Sequence, residues 1–226
     1  MEKAKKGPYA LFFKRFFDVL CSIIVLVLFF WLYAVVALLV RVKLGSPVLF
    51  KQDRPGMIDP KTGKERIFRL CKFRTMTDAK NEKGDLLPDC ERLTPFGSWL
   101  RRTSLDEIPE LFNILKGDMS LIGPRPLLVK YLDRYNEEQH HRHDVRPGLT
   151  GYAQAHGRNS LSWEDKFAMD VWYTKNVTFI NDLRIIVDTI KTVLKREGIN
   201  SDTSATMEEF MGTPEGVKSA WEAPNE

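Results

Sequence analysis

Cysteine, histidine and long apolar runs are all scarce in this chain of 226 residues. Cys21, Cys71 and Cys90 show no metal-ligand spacing and, being three, cannot all pair, so a reducing, cytosolic setting is expected for the water-facing part. No glycine-rich nucleotide loop, no Ser-His-Asp set and no internal repeat is present. Mean hydropathy is −0.27, which excludes a polytopic membrane protein. Charge of either sign is nearly balanced, with a net charge of +4. That excess and a pI near 8.9 suit a partner carrying phosphates, either lipid headgroups or a nucleotide, and are too small to indicate nucleic acid.

What is present begins with one uncharged apolar run, Val19–Val40. A helix needs about 20 such residues to cross the hydrocarbon core. A buried soluble helix is rarely apolar on every face for so long. The run exceeds the 7–15 residues, roughly, of a cleaved signal and leads into Arg41 and Lys43, so it is expected to be retained. Both flanks are basic: Lys3, Lys5, Lys6, Lys14 and Arg15 precede it, and Arg41, Lys43, Lys51 and Arg54 follow. Orientation stays open between a segment that enters and leaves on the cytoplasmic side and a spanning helix whose flanks bind anionic lipid.

The expected organisation is a basic tail over 1–11, a membrane-embedded helix over 12–44, a cytosolic domain over 45–200 and a loose polar tail over 201–226. The fold class expected is α+β, mostly helical. Pro47–Gln52 and Arg66–Phe73 read as strands of a hairpin whose long loop carries Pro55-Gly56 and Asp59-Pro60. Ser104 with Glu107, and Ser162 with Asp165, each match a helix-capping spacing. Leu183, Ile186, Val187, Ile190, Val193 and Leu194 recur at helical spacing, with Gly198 as the stop; core is the first expectation for that stripe and an interfacial position the second.

The chemistry concentrates in Leu100–Leu128. Adjacent carboxylates Asp106 and Glu107 fall in a first helical turn, where capping alone would favour acidic residues. Arg101 and Arg102 precede them, and Arg125 stands between two prolines in Gly123-Pro124-Arg125-Pro126. An ionised aspartate can attack phosphorus. A neighbouring glutamate can hold Mg²⁺ beside a substrate phosphate. An arginine with a fixed backbone offers a planar fork for phosphate oxygens.

This stretch resembles the catalytic core of the monotopic polyprenol-phosphate phosphoglycosyl transferases, the bacterial sugar transferase family. The motifs Lys14-Arg15-Phe16-Phe17-Asp18, Gln52-Asp53-Arg54-Pro55-Gly56, Lys72-Phe73-Arg74-Thr75-Met76, Ser104-Leu105-Asp106-Glu107, Lys116-Gly117-Asp118-Met119-Ser120, Gly123-Pro124-Arg125-Pro126, Arg146–Gly151 and Gly157-Arg158-Asn159 follow in family order across roughly residues 12–210. The resemblance implies transfer of a sugar-1-phosphate from a UDP-sugar to undecaprenyl phosphate with release of UMP, through a covalent aspartyl-phosphosugar. It implies Asp106 as nucleophile, Glu107 as the Mg²⁺ ligand, and Arg125, Arg158 and Asn159 on the substrate; Lys72 and Arg74 stand between phosphate binding and structure. It implies the cytoplasmic face of the bacterial inner membrane, with membrane lipids and downstream glycosyltransferases as partners. The short chain, and Gly157-Arg158-Asn159 followed by Ser162-Trp163, are similar to members that use UDP-diacetylbacillosamine or related N-acetylated sugars. In many members a Ser-Pro pair breaks the membrane helix so that it turns back. Here Phe30-Trp31 occupies that place, and no proline lies between Lys14 and Ser46.

Two rival readings are an anchored phosphotransferase that uses Asp106 toward water or another lipid, and an inactive scaffold that recruits glycosyltransferases. The run Gln139–Asp144, with His140, His141 and His143, is expected to be a solvated or phosphate-facing surface rather than a zinc site. Trp163, Trp172 and Tyr173 are candidates for uracil, sugar or interface contact, with core packing the default.

Overall fold

The computed structural model of the protein describes residues 7–157, 161–195 and 209–224. The fold is a mixture of helix and strand, about half helical, so strand and irregular segments take a larger share than the sequence suggests. Tyr9–Phe13 forms a wide helical turn that runs into α1 (Lys14–Leu28), and α2 (Phe30–Leu44) follows after one residue. The expected single helix is therefore broken. Phe29 leaves the helical basin at φ −115°, ψ 20°, and the two arms are bent by 68°. Among the described residues no single helix is long and apolar enough to cross a membrane.

The break has no proline; packing supplies it. Leu26 of α1 packs on Phe68, Leu70, Leu111, Ile114 and Met119, whereas Val36 and Val40 of α2 are buried against Phe73 and Leu100. The two arms thus follow different clusters of one domain, and the aromatic run Phe29-Phe30-Trp31 has little helix propensity to resist. The outward faces of both arms stay apolar and exposed, including Phe16, Val27, Phe30, Trp31 and Leu38.

β1 (Leu49–Ile58) pairs antiparallel with β2 (Glu65–Phe73), from Leu49 opposite Phe73 to Ile58 opposite Glu65. Pro55 and Gly56 lie inside β1, not in the loop, at the register shift before Ile58. Proline donates no ladder bond, and a bulge accommodates that. Two short helices follow, α3 (Asp89–Arg92) and α4 (Pro95–Arg102), the latter capped by Thr94 Oγ1 accepting from the Gly97 N–H at 3.0 Å. Next come α5 (Glu110–Lys116), β3 (Ser120–Ile122), α6 (Glu137–His140) and β4 (Gly148–Thr150), with β3 and β4 parallel. The chain continues through α7 (Tyr152–His156), α8 (Trp163–Lys175) and α9 (Phe179–Lys195). Ser162 caps α8 as its spacing predicts, accepting from the Asp165 N–H at 3.1 Å.

Three expectations are corrected here. The α9 stripe is not core: Leu183, Ile186, Val187 and Ile190 are exposed, while Asp182 and Ile185 on the other face are buried. Phe179 continues this apolar face onto the first arm, 5.8 Å from the Phe17 ring. Val193, Leu194 and Gly198 fall outside the described side chains. The described part of the C-terminal tail, residues 209–224, is docked and not loose. Phe210 is 1% exposed among Tyr131, Tyr135, Trp163 and Phe167. Further on, Asp165 accepts from Ser219 Oγ and from the Ala220 and Trp221 N–H groups.

The histidine run is likewise no solvated surface, because Arg142 and His143 are buried. His143 Nδ1 lies 3.0 Å from the Gly56 carbonyl, which makes it the donor. Burial, with Arg142 adding repulsion, pushes its imidazole down to about 3. The unfolded chain takes up this proton near pH 6.5, so the stabilisation is complete above that pH and is lost as pH falls toward 3. We expect His143→Gln, which can keep a donor toward Gly56, to flatten the loss of stability between pH 6 and 4. The wild type should lose up to about 1.4 kcal/mol per pH unit more. Equal slopes in urea unfolding would refute the assignment.

Candidate active site

The Ser104–Glu107 spacing predicts a capping box, and the structure replaces it with a sharper turn. Ser104 adopts a left-handed conformation (φ 55°, ψ 17°), its side chain caps nothing, and Leu105–Glu107 form one 3₁₀ turn. α5 begins only at Glu110, after Pro109, whose missing N–H needs no partner at a helix start. The left-handed residue reverses the chain between α4 and this turn at a cost of about 1–2 kcal/mol. Leu105 and Ile108, on either side of the carboxylates, pack on the Val36, Val40, Phe73 and Leu100 cluster and offset that cost. The second arm of the bent apolar helix pair therefore forms the floor of the carboxylate turn.

Asp106 is 7% exposed, and neither of its oxygens accepts a hydrogen bond among the described residues. Burial pushes its carboxyl up to about 6; Lys72, Arg125 and Arg101 oppose the rise and Glu107 adds to it. Glu107 goes the other way. Burial alone would raise it, but Lys72 and Arg125 together hold it well below the usual carboxylate range. Both contact the same atom: Lys72 Nζ lies 2.7 Å and Arg125 Nη2 2.8 Å from Glu107 Oε1. Lys72 also reaches Glu110 Oε1 at 3.0 Å. Glu110 is 3% exposed, and burial pushes it up to about 7 against the pull of Lys72.

Asn113 fixes this register. Its Oδ1 accepts from the Cys71 N–H at 3.1 Å, and its Nδ2 donates to the Arg69 carbonyl at 2.9 Å. It thereby ties α5 to β2 beside Lys72. Asn113→Ala should cost about 1–3 kcal/mol, since two part-buried backbone groups lose their partners. A midpoint of denaturation equal to that of the wild type would contradict this.

The Arg125 turn is held by two further arginines. Arg54 Nη1 donates to the Pro126 carbonyl at 3.3 Å, and Arg142 Nη2 donates to the Arg125 carbonyl at 2.7 Å. Arg142 is in turn paired with buried Asp170 at 2.7 Å. The turn also rests on Arg146–Gly151. A Cβ on Gly123 would stand 2.3 Å from the Arg146 carbonyl oxygen, and one on Gly148 would stand 2.1 Å from Gly123 N. The two proline-glycine motifs are one backbone crossing that leaves no room for side chains.

Of the residues singled out from sequence, Asp106, Glu107, Arg125 and Lys72 come together. Arg74 does not join them: it donates to the Leu44 carbonyl at the end of α2 and pairs with Asp78 at 2.8 Å. Arg158 and Asn159 lie outside the described residues. Tyr173 is core, with its hydroxyl on Asp182 at 2.7 Å and on the Ile122 carbonyl. Trp163 and Trp172 pack on aromatic neighbours. Sequence reasoning missed Glu110 and Arg54. Glu110 stands three and four residues beyond the carboxylate pair, the spacing of neighbours on one helical face. Arg54 gave no such signal, because its role depends on the hairpin reaching the turn.

Among the described residues no three His, Cys, Asp or Glu side chains converge as metal ligands. That rules out a closed all-protein cage there, yet Mg²⁺ is commonly held by one or two carboxylates plus substrate phosphate. Glu107 Oε2, which accepts no hydrogen bond among the described residues, is a hard oxygen donor of the right kind.

The profile of the family described as Bacterial sugar transferase matches residues 9–196. The chain is 50% identical over 200 residues to the uncharacterized sugar transferase EpsL of Bacillus subtilis, covering 88% of this chain and 96% of that protein. It is 38% identical over 208 residues to the undecaprenyl-phosphate galactose phosphotransferase of Salmonella typhimurium (83% of this chain, 41% of that one). It is 36% identical over 196 residues to the UDP-N-acetylgalactosamine-undecaprenyl-phosphate N-acetylgalactosaminephosphotransferase of Aeromonas hydrophila (83% and 45%). The chain thus spans less than half the length of the latter two relatives. A profile match over most of the chain, through both arms of the bent helix pair, the carboxylate turn and the Arg125 turn, places this protein in the bacterial sugar transferase family.

Proposed function

We propose that this chain transfers a sugar-1-phosphate from a UDP-sugar to undecaprenyl phosphate and releases UMP, by a ping-pong route through Asp106. The observation that carries this reading is the Asp106–Glu107–Lys72–Arg125 cluster, in which one carboxylate accepts no hydrogen bond among the described residues and its neighbour is clamped by two cations. An Asp106 oxygen attacks the sugar-side phosphorus, and the bond to UMP breaks with the electron pair leaving on UMP. An oxygen of the lipid phosphate then attacks the same phosphorus and restores the carboxylate. Lys72 and Arg125 supply positive charge where the pyrophosphate lies, and the braced Gly123–Pro126 turn keeps Arg125 aimed without added ordering cost. Glu107 would hold Mg²⁺, which when bound neutralises pyrophosphate charge that otherwise repels an anionic nucleophile. A relative named for UDP-N-acetylgalactosamine supports an N-acetylated sugar, with UDP-diacetylbacillosamine among the candidates.

The membrane reading follows from lengths. The second arm has 15 residues, about 22 Å at 1.5 Å per residue, short of a hydrocarbon core of about 30 Å. The first arm, Tyr9–Leu28, carries Lys14, Arg15 and Asp18, so its uncharged part, Val19–Leu28, is shorter still. The bend, the basic flanks and the exposed apolar faces of both arms and of α9 support a re-entrant hairpin. It would hold the domain at the cytoplasmic surface of the inner membrane, where a lipid phosphate and downstream glycosyltransferases are within reach.

The test is incubation with a panel of UDP-sugars, Mg²⁺ and undecaprenyl phosphate while UMP is measured. Without lipid, UMP should stop at one equivalent per enzyme; continued lipid-free release would indicate hydrolysis instead. Single cysteines at Lys6 and Lys43 should label from the same side of the membrane, and labelling from opposite sides would exclude re-entry.

A further inference from the structure

The first turns of α1 do more than lead into the apolar arm. Arg15 donates to the last carbonyls of α5, Ile114 at 2.6 Å through Nη1 and Leu115 at 3.0 Å through Nη2. Gly117 just beyond is left-handed (φ 92°) and without a side chain, and a Cβ there would already stand 3.5 Å from Arg15 Nη2. One helical turn on, Asp18 Oδ1 accepts from Ser120 Oγ and from the Leu121 N–H, each at 3.0 Å. Asp18 and Ser120 are 3% and 1% exposed. Lys14 completes the grip on buried Asp182 at 2.6 Å.

The two segments gripped are the two that carry the site. α5 is the continuation of the turn bearing Asp106 and Glu107, and β3 runs directly into Gly123-Pro124-Arg125. Buried polar contacts over such sequence distances cost desolvation, the more so as Asp18 Oδ2 is buried without a hydrogen-bond partner among the described residues, and they are a means of fixing one arrangement. A lone lipid-facing function for Lys14, Arg15 and Asp18 would need none of these partners.

We propose that Arg15 and Asp18 are positioning residues for the lipid-dependent half of the reaction, an inference that rests on the function proposed above. They lock the membrane arm to both catalytic segments and so set the depth of the aspartyl-phosphosugar relative to an acceptor phosphate held at the bilayer surface. The first half-reaction draws its substrate from water, and its geometry lies within the domain. The second must bring together one group fixed in the protein and another fixed in the lipid, so only it is sensitive to slack between arm and domain.

The experiment uses the full chain in vesicles of phosphatidylethanolamine and phosphatidylglycerol. Arg15→Ala and Asp18→Leu should keep the lipid-free UMP burst, with full amplitude and a rate within about twofold of the wild type. Turnover with undecaprenyl phosphate in the vesicle should fall about tenfold or more. A short-chain prenyl phosphate dissolved in water should restore most of it, because that acceptor has no fixed depth. Asp18→Asn, which keeps an accepting oxygen, should behave nearly as wild type. If Arg15→Ala no longer melts cooperatively, Arg15→Lys takes its place, since a single ammonium cannot span both carbonyls. Burst and turnover falling in proportion would make these residues merely structural and overturn the proposal, as would membrane turnover at the wild-type rate. A wild type without any burst would instead overturn the function on which the proposal rests.

Discussion

Asp106→Asn should abolish turnover, with a loss of about 10⁴-fold or more, and should leave no phosphosugar on the protein in mass spectrometry. The amide is nearly isosteric but carries no anionic oxygen to attack phosphorus, so the defect is chemical. Folding should not suffer. The carboxylate is buried, accepts no hydrogen bond among the described residues, and its ionised form is disfavoured by burial. The neutral amide removes a buried charge, and the melting temperature should stay level or rise, the pattern expected where a site is kept at the expense of stability. A variant that turns over at the wild-type rate would remove Asp106 from the mechanism, and one that melts well below wild type would show a structural role.

Lys72→Met should damage both stability and activity, and a second substitution separates the two. Lys72 lies within 3.0 Å of both Glu107 and Glu110, and the three side chains are no more than 17% exposed. Removing the ammonium takes the ion-pair partner from buried Glu110 and leaves Glu107 with Arg125 alone, at a cost of about 3–5 kcal/mol. For a chain of this size that is a drop in melting temperature of roughly 6–20 °C. Turnover should fall about 100-fold or more, because one of the cations facing the pyrophosphate is gone. Adding Glu110→Gln should restore much of the stability and little of the turnover. Recovery of both together would mean that Lys72 serves folding alone; an unchanged melting temperature in Lys72→Met would refute the clustered geometry.

The legible part of this molecule was local. Paired carboxylates, an arginine between prolines and a capped helix at Ser162 depend on residues near one another in sequence. The hairpin followed from alternation and turn residues in the same way. What escaped depends on distant partners. Nothing near Phe29 breaks a helix, yet the two arms pack on different clusters and bend there. Ser104 looked like a cap because its neighbours have the right spacing, but the reversal after α4 demanded a left-handed residue. The α9 pattern is amphipathic in sequence, and only the burial of Asp182 by Tyr9, Lys14 and Tyr173 shows which face turns inward. Arg142 and His143, surrounded by charge in the sequence, are buried because Asp170 and the Gly56 carbonyl meet them from other elements.

The docked C-terminal segment has a practical reach. Residues 209–224 lie beyond the matched region of the family, yet Phe210 fills the space between the 3₁₀ helix Val129–Arg134 and the start of α8. Glu209 adds salt bridges to Lys130 and Arg134 on that same helix. Trimming the chain back to the family boundary would open a void the size of a phenylalanine among Tyr131, Tyr135, Trp163 and Phe167 and take Glu209 from Lys130 and Arg134. An affinity tag fused directly at residue 196 would do the same. Reagents for purification, immobilisation or fusion should therefore be attached at the C-terminal end of the chain, so that residues 209–224 keep their contacts.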